Sequence, residues 1–499
     1  MGSWIEKYQC AKLLSVSSAT VRNWIKAGYL NSNEDGRVSS ESIDRVKSEV
    51  IGGIKLTSRA NKLFKINDGD EYNESRRNRD GIYYTPQFIV DDMLSTIDLS
   101  QVDLSRATFL DPCCGDGNFL VTALQLGFLP QNIYGYDIDP KAVNAAKDRI
   151  MNASGYVGET TILCGDFLTI AHDRKYDFIY TNPPWGKKLQ PQESGRKIDS
   201  SEQFFRRSME VLRDGGRIGF LMQEAVFNVG TYQQFREFIF SYNIVKFSHY
   251  GQSFKGLLTA AQAVIVDKFA SENSPIICCD GNSIYMRSCE SFANNPYLIF
   301  NFQIKPNYAD LIAYILKSDD YITLKARWGL GIVTGNNSRF CSREPRATYQ
   351  PIFRGEDISI DGLAEPSLYI TTDLSKCQQV APLETYYAPS KIIYKFISSR
   401  LIFYLDREQR LILNSANMLL LDSSFPLSEE QLVALFNSPF MNWLYTSIFS
   451  ARKVLKRDLE RLPIFINNLS KGEIFNESTY LQSLGIEPDG VGGYRFSNS

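Results

Sequence analysis

Between residues 106 and 269, short runs rich in β-branched and aromatic residues alternate with amphipathic stretches of helical period. No other feature restricts the fold as strongly. Parallel strands need crossover connections, and helices supply them, so this alternation predicts a mostly parallel sheet. Strands are expected at 108–110, 133–137, 161–164, 178–181, 217–222, 244–250 and 262–268. Helices are expected at 119–126, 141–151, 203–213 and 232–240. The expected fold class is therefore α/β, with a mixed seven-stranded sheet, a small helical N-terminal module and an α+β C-terminal region. With 499 residues, the chain exceeds the single core of a typical domain of about 100–200 residues.

Composition narrows the chemistry. Only two histidines are present, His172 and His249, which disfavours a histidine triad or a histidine-rich metal site. The nine cysteines include no CxxC pair, so neither a disulfide framework nor a zinc site is expected, and no metal is assigned. There is no run of about 18 apolar residues, so no membrane span is expected. The opening residues carry Glu6 and Lys7 where a signal peptide needs apolar side chains, so a cytoplasmic location is expected. Net charge is −2, but unevenly spread. Residues 1–79 hold 14 Lys and Arg against 10 Asp and Glu, residues 80–320 hold 21 against 28, and residues 321–469 hold 17 against 14. Two mildly basic ends flank an acidic middle, which permits nucleic acid as a partner of the ends.

Near the N-terminus, a short helix at 9–14, a turn at 15–17 and a second helix at 19–27 stopped by Gly28 form a helix-turn-helix pattern. The segment resembles the winged helix-turn-helix of the MerR and excisionase type, with a wing near 33–38 and a helix at 40–50. That resemblance implies that Arg22, Asn23 and Lys26 face a groove or phosphates. The alternative is a three-helix interaction module without DNA contact.

Four elements stand in order inside the α/β region. The first is Leu110-Asp-Pro-Cys-Cys-Gly-Asp-Gly-Asn-Phe119, where glycines let the backbone approach a ligand just before a helix N-terminus. The second is Gly135-Tyr-Asp-Ile-Asp-Pro140; Asp137, at a strand end about twenty residues on, suits ribose hydroxyls. The third is Cys164-Gly-Asp-Phe167, whose Asp166 can accept from an adenine amino group. The fourth, Thr181-Asn-Pro-Pro-Trp-Gly186, is the specific one. Its prolines fix the backbone and leave the carbonyls of Pro183 and Pro184 without local competition. The amide oxygen of Asn182 and the carbonyl of Pro183 then offer two acceptors to one exocyclic amine, and Trp185 offers a stacking face. No ionisable base is needed.

These motifs resemble the S-adenosylmethionine-dependent N6-adenine DNA methyltransferases of the gamma class, in particular the TaqI and Eco57I groups of restriction–modification methylases. The likeness covers about residues 81–310 and implies a Rossmann-like methyltransferase domain. The upstream Tyr83-Tyr-Thr-Pro-Gln87 resembles the family's first cofactor-contacting motif. The resemblance implies that Tyr84, Thr85, Pro86, Asp111, Pro112, Cys113, Gly115, Asp137, Ile138, Asp166, Phe167 and Asn182 bind S-adenosylmethionine. Asn182, Pro183 and Trp185 are implied to act on the target adenine, flipped out of the duplex. Phe302 or Phe300 is implied to cover its other face, and Lys187 to contact DNA. As local structure alone, Cys113 and Cys114 are small residues lining a turn rather than nucleophiles.

Beyond residue 320, the segments Gly331-Ile-Val-Thr-Gly-Asn-Asn337, Phe353-Arg-Gly-Glu-Asp-Ile358 and Leu455-Lys-Arg-Asp-Leu-Glu-Arg-Leu-Pro463 resemble the family's target recognition domain. Cations at 391–400 and 452–457 are expected near DNA, and a helix is expected at 428–448. The expected organisation is a DNA-binding module (1–55), a linker (56–80), a methyltransferase domain (81–315), a target recognition domain (316–470) and a tail (471–499). Double-stranded DNA is the expected partner, a separate restriction endonuclease a partner without stable complex, and a monomer the default state. The resemblance implies a bacterial or archaeal, nucleoid-associated setting. Alternatives are an RNA or protein-glutamine methyltransferase using the same Asn-Pro-Pro turn, or a non-catalytic DNA-binding regulator.

Overall fold

The computed structural model describes residues 84–499 apart from 187, 190–197, 255, 256, 258, 271–273, 450–452, 467, 468, 470–472, 498 and 499. Before residue 84 it describes 4–13, 21, 25, 30–33 and 35–44. By internal contacts the chain divides into one unit of residues 1–85 with 252–258 and another of 86–251 with 259–499.

In the first unit, strand β1 (Trp4–Ile5) pairs antiparallel with β2 (Val38–Ser39), and helix α1 (Lys7–Leu13) follows β1. The strand pair is absent from the sequence-based expectation. Within the stretch expected as a wing, Arg37 N–H donates to Asn33 Oδ1 (2.8 Å), and Gly36 takes the left-handed φ of 76° that glycine tolerates. Residues 21 and 25 are helical, as are 40–44. Arg22, Asn23 and Lys26, and the expected linker, lie outside the described residues.

The second unit is built on a nine-stranded sheet. Its strands are β3 (Phe109–Asp111), β4 (Ile133–Asp137), β5 (Ile162–Cys164), β6 (Tyr176–Thr181), β7 (Leu212–Gln223), β8 (Tyr242–His249), β9 (Ala261–Ala270), β10 (Ile276–Asp280) and β11 (Ser283–Arg287). Their order across the sheet is β11-β10-β8-β9-β7-β6-β3-β4-β5. Pairing is parallel among β5, β4, β3, β6 and β7, and β9 runs antiparallel to both neighbours. All seven expected strands are present, each within a few residues of the expected bounds. The expectation of seven strands is corrected to nine, because β10 and β11 extend the edge as a hairpin. Gly281, with φ 58°, and Asn282 form its two-residue turn, a signal legible in the sequence.

The crossover helices form where local chemistry favours them. In α4 (Pro140–Ser154), Asp139 caps the start by accepting from Lys141 N–H (2.9 Å), Pro140 takes the first helical position and left-handed Gly155 ends the helix. Its buried side chains, Val143, Ala146 and Ile150, recur at helical spacing. Helices α2 (Gln87–Leu94), α3 (Asn118–Gln125), α5 (Ser200–Val211) and α6 (Gln233–Phe240) complete the layers. One sheet face buries Leu110, Ile179, Phe205, Phe220, Phe247 and Val264 in a single core.

After α7 (Pro306–Lys317) come two four-stranded sheets. One joins β12 (Ala326–Leu330), β16 (Lys391–Lys395), β17 (Phe403–Asp406) and β19 (Ala416–Leu421). The other joins β13 (Cys341–Ser342), β14 (Tyr349–Phe353), β15 (Leu368–Thr371) and β18 (Leu411–Ile412). The helix expected at 428–448 is two helices, α8 (Glu429–Asn437) and α9 (Pro439–Ile448). Pro439 cannot continue a helix, and Ser438 caps the new one by accepting from Met441 N–H (3.2 Å). Residues 477–483 form α10 (Glu477–Ser483), and β20 (Ile486–Pro488) pairs with β21 (Tyr494–Phe496). Tyr480, Leu481, Ile486 and Tyr494 bury in the same core as α7, α8 and α9, so this segment is folded rather than an appended tail.

Candidate active site

Three of the four motifs begin at the carboxyl ends of strands that lie side by side, β4, β3 and β6, and the third follows the adjacent β5. Asp111 pairs in register with Gly135, and Asp137 with Cys164. The ends of neighbouring parallel strands are where open α/β sheets place their ligands.

Asp111 is buried at the end of β3. Its Oδ1 accepts from Thr181 Oγ1 (2.6 Å) and Cys113 N–H (3.0 Å), tying the first motif to the residue before Asn182. Burial pushes its carboxyl up to about 7; the two hydrogen bonds pull it down, and the charges of Asp137 and Asp116 push it up further. Pro112 is also buried. Gly115, with φ 52°, donates its N–H to Asp137 Oδ2 (2.9 Å), and Asp139 N–H donates to Asp137 Oδ1 (2.9 Å). The Asp137 carboxylate is thereby fixed in orientation, and each oxygen keeps a further lone pair. Burial raises its pKa as well. Ile138 beside it is exposed.

Gly117, with φ 91°, precedes α3, and a Cβ there would stand 3.0 Å from that of Ala146. No side chain caps α3, so its first turn presents backbone N–H groups of the kind that bind anions. Arg149 holds this loop through Asp116 (3.1 Å), the Asp116 carbonyl (3.0 Å) and Asn118 Oδ1 (2.7 Å). Burial pushes the Cys113 and Cys114 thiols far above their ordinary range, which keeps them protonated and unreactive. Asp166 is half-buried and accepts from Leu168 N–H (3.0 Å).

At the end of β6, Pro183 is buried, while Asn182, Pro184 and Trp185 are half-buried. The Pro184 carbonyl accepts from Ser200 Oγ, a partner distant in sequence. Trp185 Nε1–H donates to the Leu221 carbonyl (3.3 Å). Sequence reasoning missed Thr181 and Ser200. The Asp199-Ser200 pair opening a helix is a capping signature that marks the latter's place.

Other expected site residues fall elsewhere. Phe300 and Phe302 are 3% and 1% exposed. Their rings lie 5.0 Å from Phe247, Phe302 in a stacked pair, so both are core residues without a face for a base. Phe167 is 1% exposed, its ring packed on Phe204 and His172, which leaves none of it to cover a cofactor ring. Tyr84 and Thr85 end the first unit, and Pro86 opens the second as the residue before α2. Lys187 lies outside the described residues. Among the described residues no group of three or more His, Cys, Asp or Glu could hold a metal.

The C-terminal segments also serve architecture. A Cβ on Gly331 would come within 2.2 Å of the Leu413 carbonyl oxygen, and one on Gly355 within 2.3 Å of that of Ser415. Two recurrent segments therefore close on one turn, and only glycine fits. Leu459 and Leu462 of the third segment are core residues. Lys391, expected near DNA, is fully buried and paired with the fully buried Asp406. Lys453 and Lys456 are exposed and lie over the rings of Phe396 (5.6 Å) and Trp328 (5.8 Å). Arg452 is outside the described residues.

Comparison with known proteins agrees with this layout. Residues 97–250 match an RMKL-like methyltransferase domain, and residues 350–464 match a TaqI-like C-terminal specificity domain. The chain is 40% identical over 390 residues to the type II methyltransferase M.VspI of Vibrio sp. (strain 343), covering 70% of this chain and 94% of that one. It is 32% identical over 130 residues to a release factor glutamine methyltransferase of Clostridium botulinum (strain Hall), covering 22% of this chain and 44% of that one. Among solved structures, that of a DrdV–DNA complex aligns with a TM-score of 0.50 at 11% identity, over 83% of this chain and 56% of that one. By these matches, the chain belongs to the type II methyltransferases, the modification methylases of restriction–modification systems.

Proposed function

We propose that this protein transfers a methyl group from S-adenosylmethionine to N6 of an adenine flipped out of double-stranded DNA. The observation that carries the reading is the Asn182–Trp185 turn at the end of β6, joined through Thr181 to the buried Asp111 of the glycine-rich loop.

The residues around that loop suit the cofactor. Asp137, fixed by two backbone donors, would take the ribose hydroxyls, and Ile138 offers an exposed apolar side chain beside them. The α3 start without a side-chain cap and the close-approach glycines suit the methionine end, and Asp166 would take the adenine amine. When bound, the cofactor supplies an electrophilic methyl group. The Asn182 amide oxygen and the Pro183 carbonyl would accept the two N–H groups of the target amine and aim its lone pair. Trp185, its indole N–H tied to Leu221, would stack on the extruded base and offset the flipping cost of a few kcal/mol. Catalysis then rests on orientation and on polarising the amine, with no general base.

The similarity to a release factor glutamine methyltransferase favours one other reading, transfer to a side-chain amide. It spans 22% of the chain, whereas the match of residues 350–464 to a specificity domain supports a sequence-specific DNA substrate. Labelled methyl transfer to DNA, RNA and protein acceptors separates the two. Label in DNA alone supports the proposal, and label in protein alone overturns it. We further propose that the enzyme acts as a monomer in the cytoplasm, at the nucleoid, beside a separate endonuclease, and that residues 1–55 bind DNA.

A further inference from the structure

The Asn182–Trp185 turn is held from behind by groups outside every motif. Ser200 Oγ donates to the Pro184 carbonyl, and Ser200 is fully buried at the first turn of α5. Asp199 sets that turn by capping it, its Oδ1 accepting from Ser201 N–H (3.0 Å). Its Oδ2 accepts from Tyr232 OH (3.1 Å) and Gln223 Nε2 (3.4 Å). Gln223 Nε2 also donates to Tyr232 OH (3.0 Å). Gln223 ends β7 two residues beyond Leu221, whose carbonyl holds the Trp185 indole. One three-membered knot therefore joins the two supports of the turn, at Pro184 and at Trp185.

We propose that Tyr232 and Asp199 are positioning residues for methyl transfer, bracing the Asn182–Trp185 turn through Ser200 and Gln223. This inference rests on the reading that the turn holds the target amine. Asp199 is buried, and its described donors are all neutral, an arrangement that costs stability relative to an apolar core. What it secures is direction. Burial, and then the charge of Asp199, keep the Tyr232 hydroxyl protonated, so it remains a donor across the working pH range. Displacement of a reacting group by about 1 Å can cost about 100-fold in rate, so loosening the turn affects turnover before it affects folding.

The test uses the full chain with Tyr232→Phe, Ser200→Ala and the double variant. The probes are plasmid DNA from a methylation-free host and S-adenosylmethionine labelled on its methyl group. Cofactor affinity is measured by calorimetry and Tm by thermal unfolding. Tyr232→Phe is expected to lower kcat about tenfold, with KM for DNA and cofactor affinity unchanged and only a small fall in Tm, since Gln223 still donates to Asp199. The double variant is expected to lose less than the product of the single losses, because both act through one brace. Unchanged kcat in an active background, or a loss that follows Tm and cofactor affinity, overturns the brace and leaves the proposed function standing. A wild-type protein that methylates no DNA overturns both.

Discussion

Asn182 and Asp111 separate two kinds of contribution to the site. Replacing Asn182 with Ala would remove one of the two acceptors proposed for the target amine but leave the Asp111 and Asp137 networks in place. Methyl transfer should fall at least about 100-fold while calorimetric cofactor affinity is retained; retained activity contradicts the assigned role. Asp111 carries a pH signature. Its carboxyl is raised from 3.8 to about 7 in the folded protein, so the folded state binds the proton more tightly than the unfolded state. Its contribution to stability is full below about pH 4 and is lost as pH rises through about 7. Asp111→Asn should lose less stability than wild type between pH 5 and 8 in denaturant titrations. An identical pH dependence in the two proteins would show that Asp111 ionises as freely as in the unfolded chain. The acids and the Asn-Pro-Pro-Trp turn were legible in the sequence because each sits at a strand end, next to glycine or proline. Phe300, Phe302 and Phe167 were misread because an aromatic near a motif looks alike whether it faces a ligand or the core; only packing tells them apart. Ser200 and Tyr232 were invisible because loop and strand separate them from the turn they support.

Elements were legible where periodicity and caps agree. The seven expected strands and four crossover helices formed with small shifts at their ends. The β10–β11 hairpin is marked in the sequence only by its Gly281-Asn282 turn, because Ile276 to Asp280 has no clear alternation. The long C-terminal helix was read through Pro439, which in fact starts a second one. In the C-terminal sheets, glycine carries more information than charge. Gly355→Ala puts a Cβ within 2.3 Å of a backbone oxygen, so it should cost about 1–3 kcal/mol in denaturant unfolding. A neutral result would mean that the turn at Ser415 can retreat. Lys391 in β16 makes the complementary case. Lys391→Ala leaves Asp406 buried with less compensation and should cost about 3–5 kcal/mol, while the salt dependence of DNA binding stays unchanged. A shallower salt slope would return Lys391 to the DNA contacts.

Across the whole molecule, the matches to a methyltransferase domain and to a specificity domain fall in separate stretches of the chain. Residues 97–250 and 350–464 match a methyltransferase and a specificity domain, and residues 86–251 with 259–499 form one unit by internal contacts. The α/β class was readable from the alternation of strands and helices. The packing of residues 477–496 into the C-terminal core was not, since short amphipathic segments reveal a partner only in three dimensions. The N-terminal residues lie outside both matched regions, so deleting residues 1–55 should leave the methylated sequence unchanged. The central claim is adenine methylation at a defined DNA sequence. Modification-sensitive long-read sequencing of DNA from a methylation-free host expressing the chain, beside an Asn182→Ala control, tests it most directly. N6-methyladenine at one recurrent sequence, missing from the control, is the predicted result; unmodified adenine throughout, with folded protein present, would contradict it.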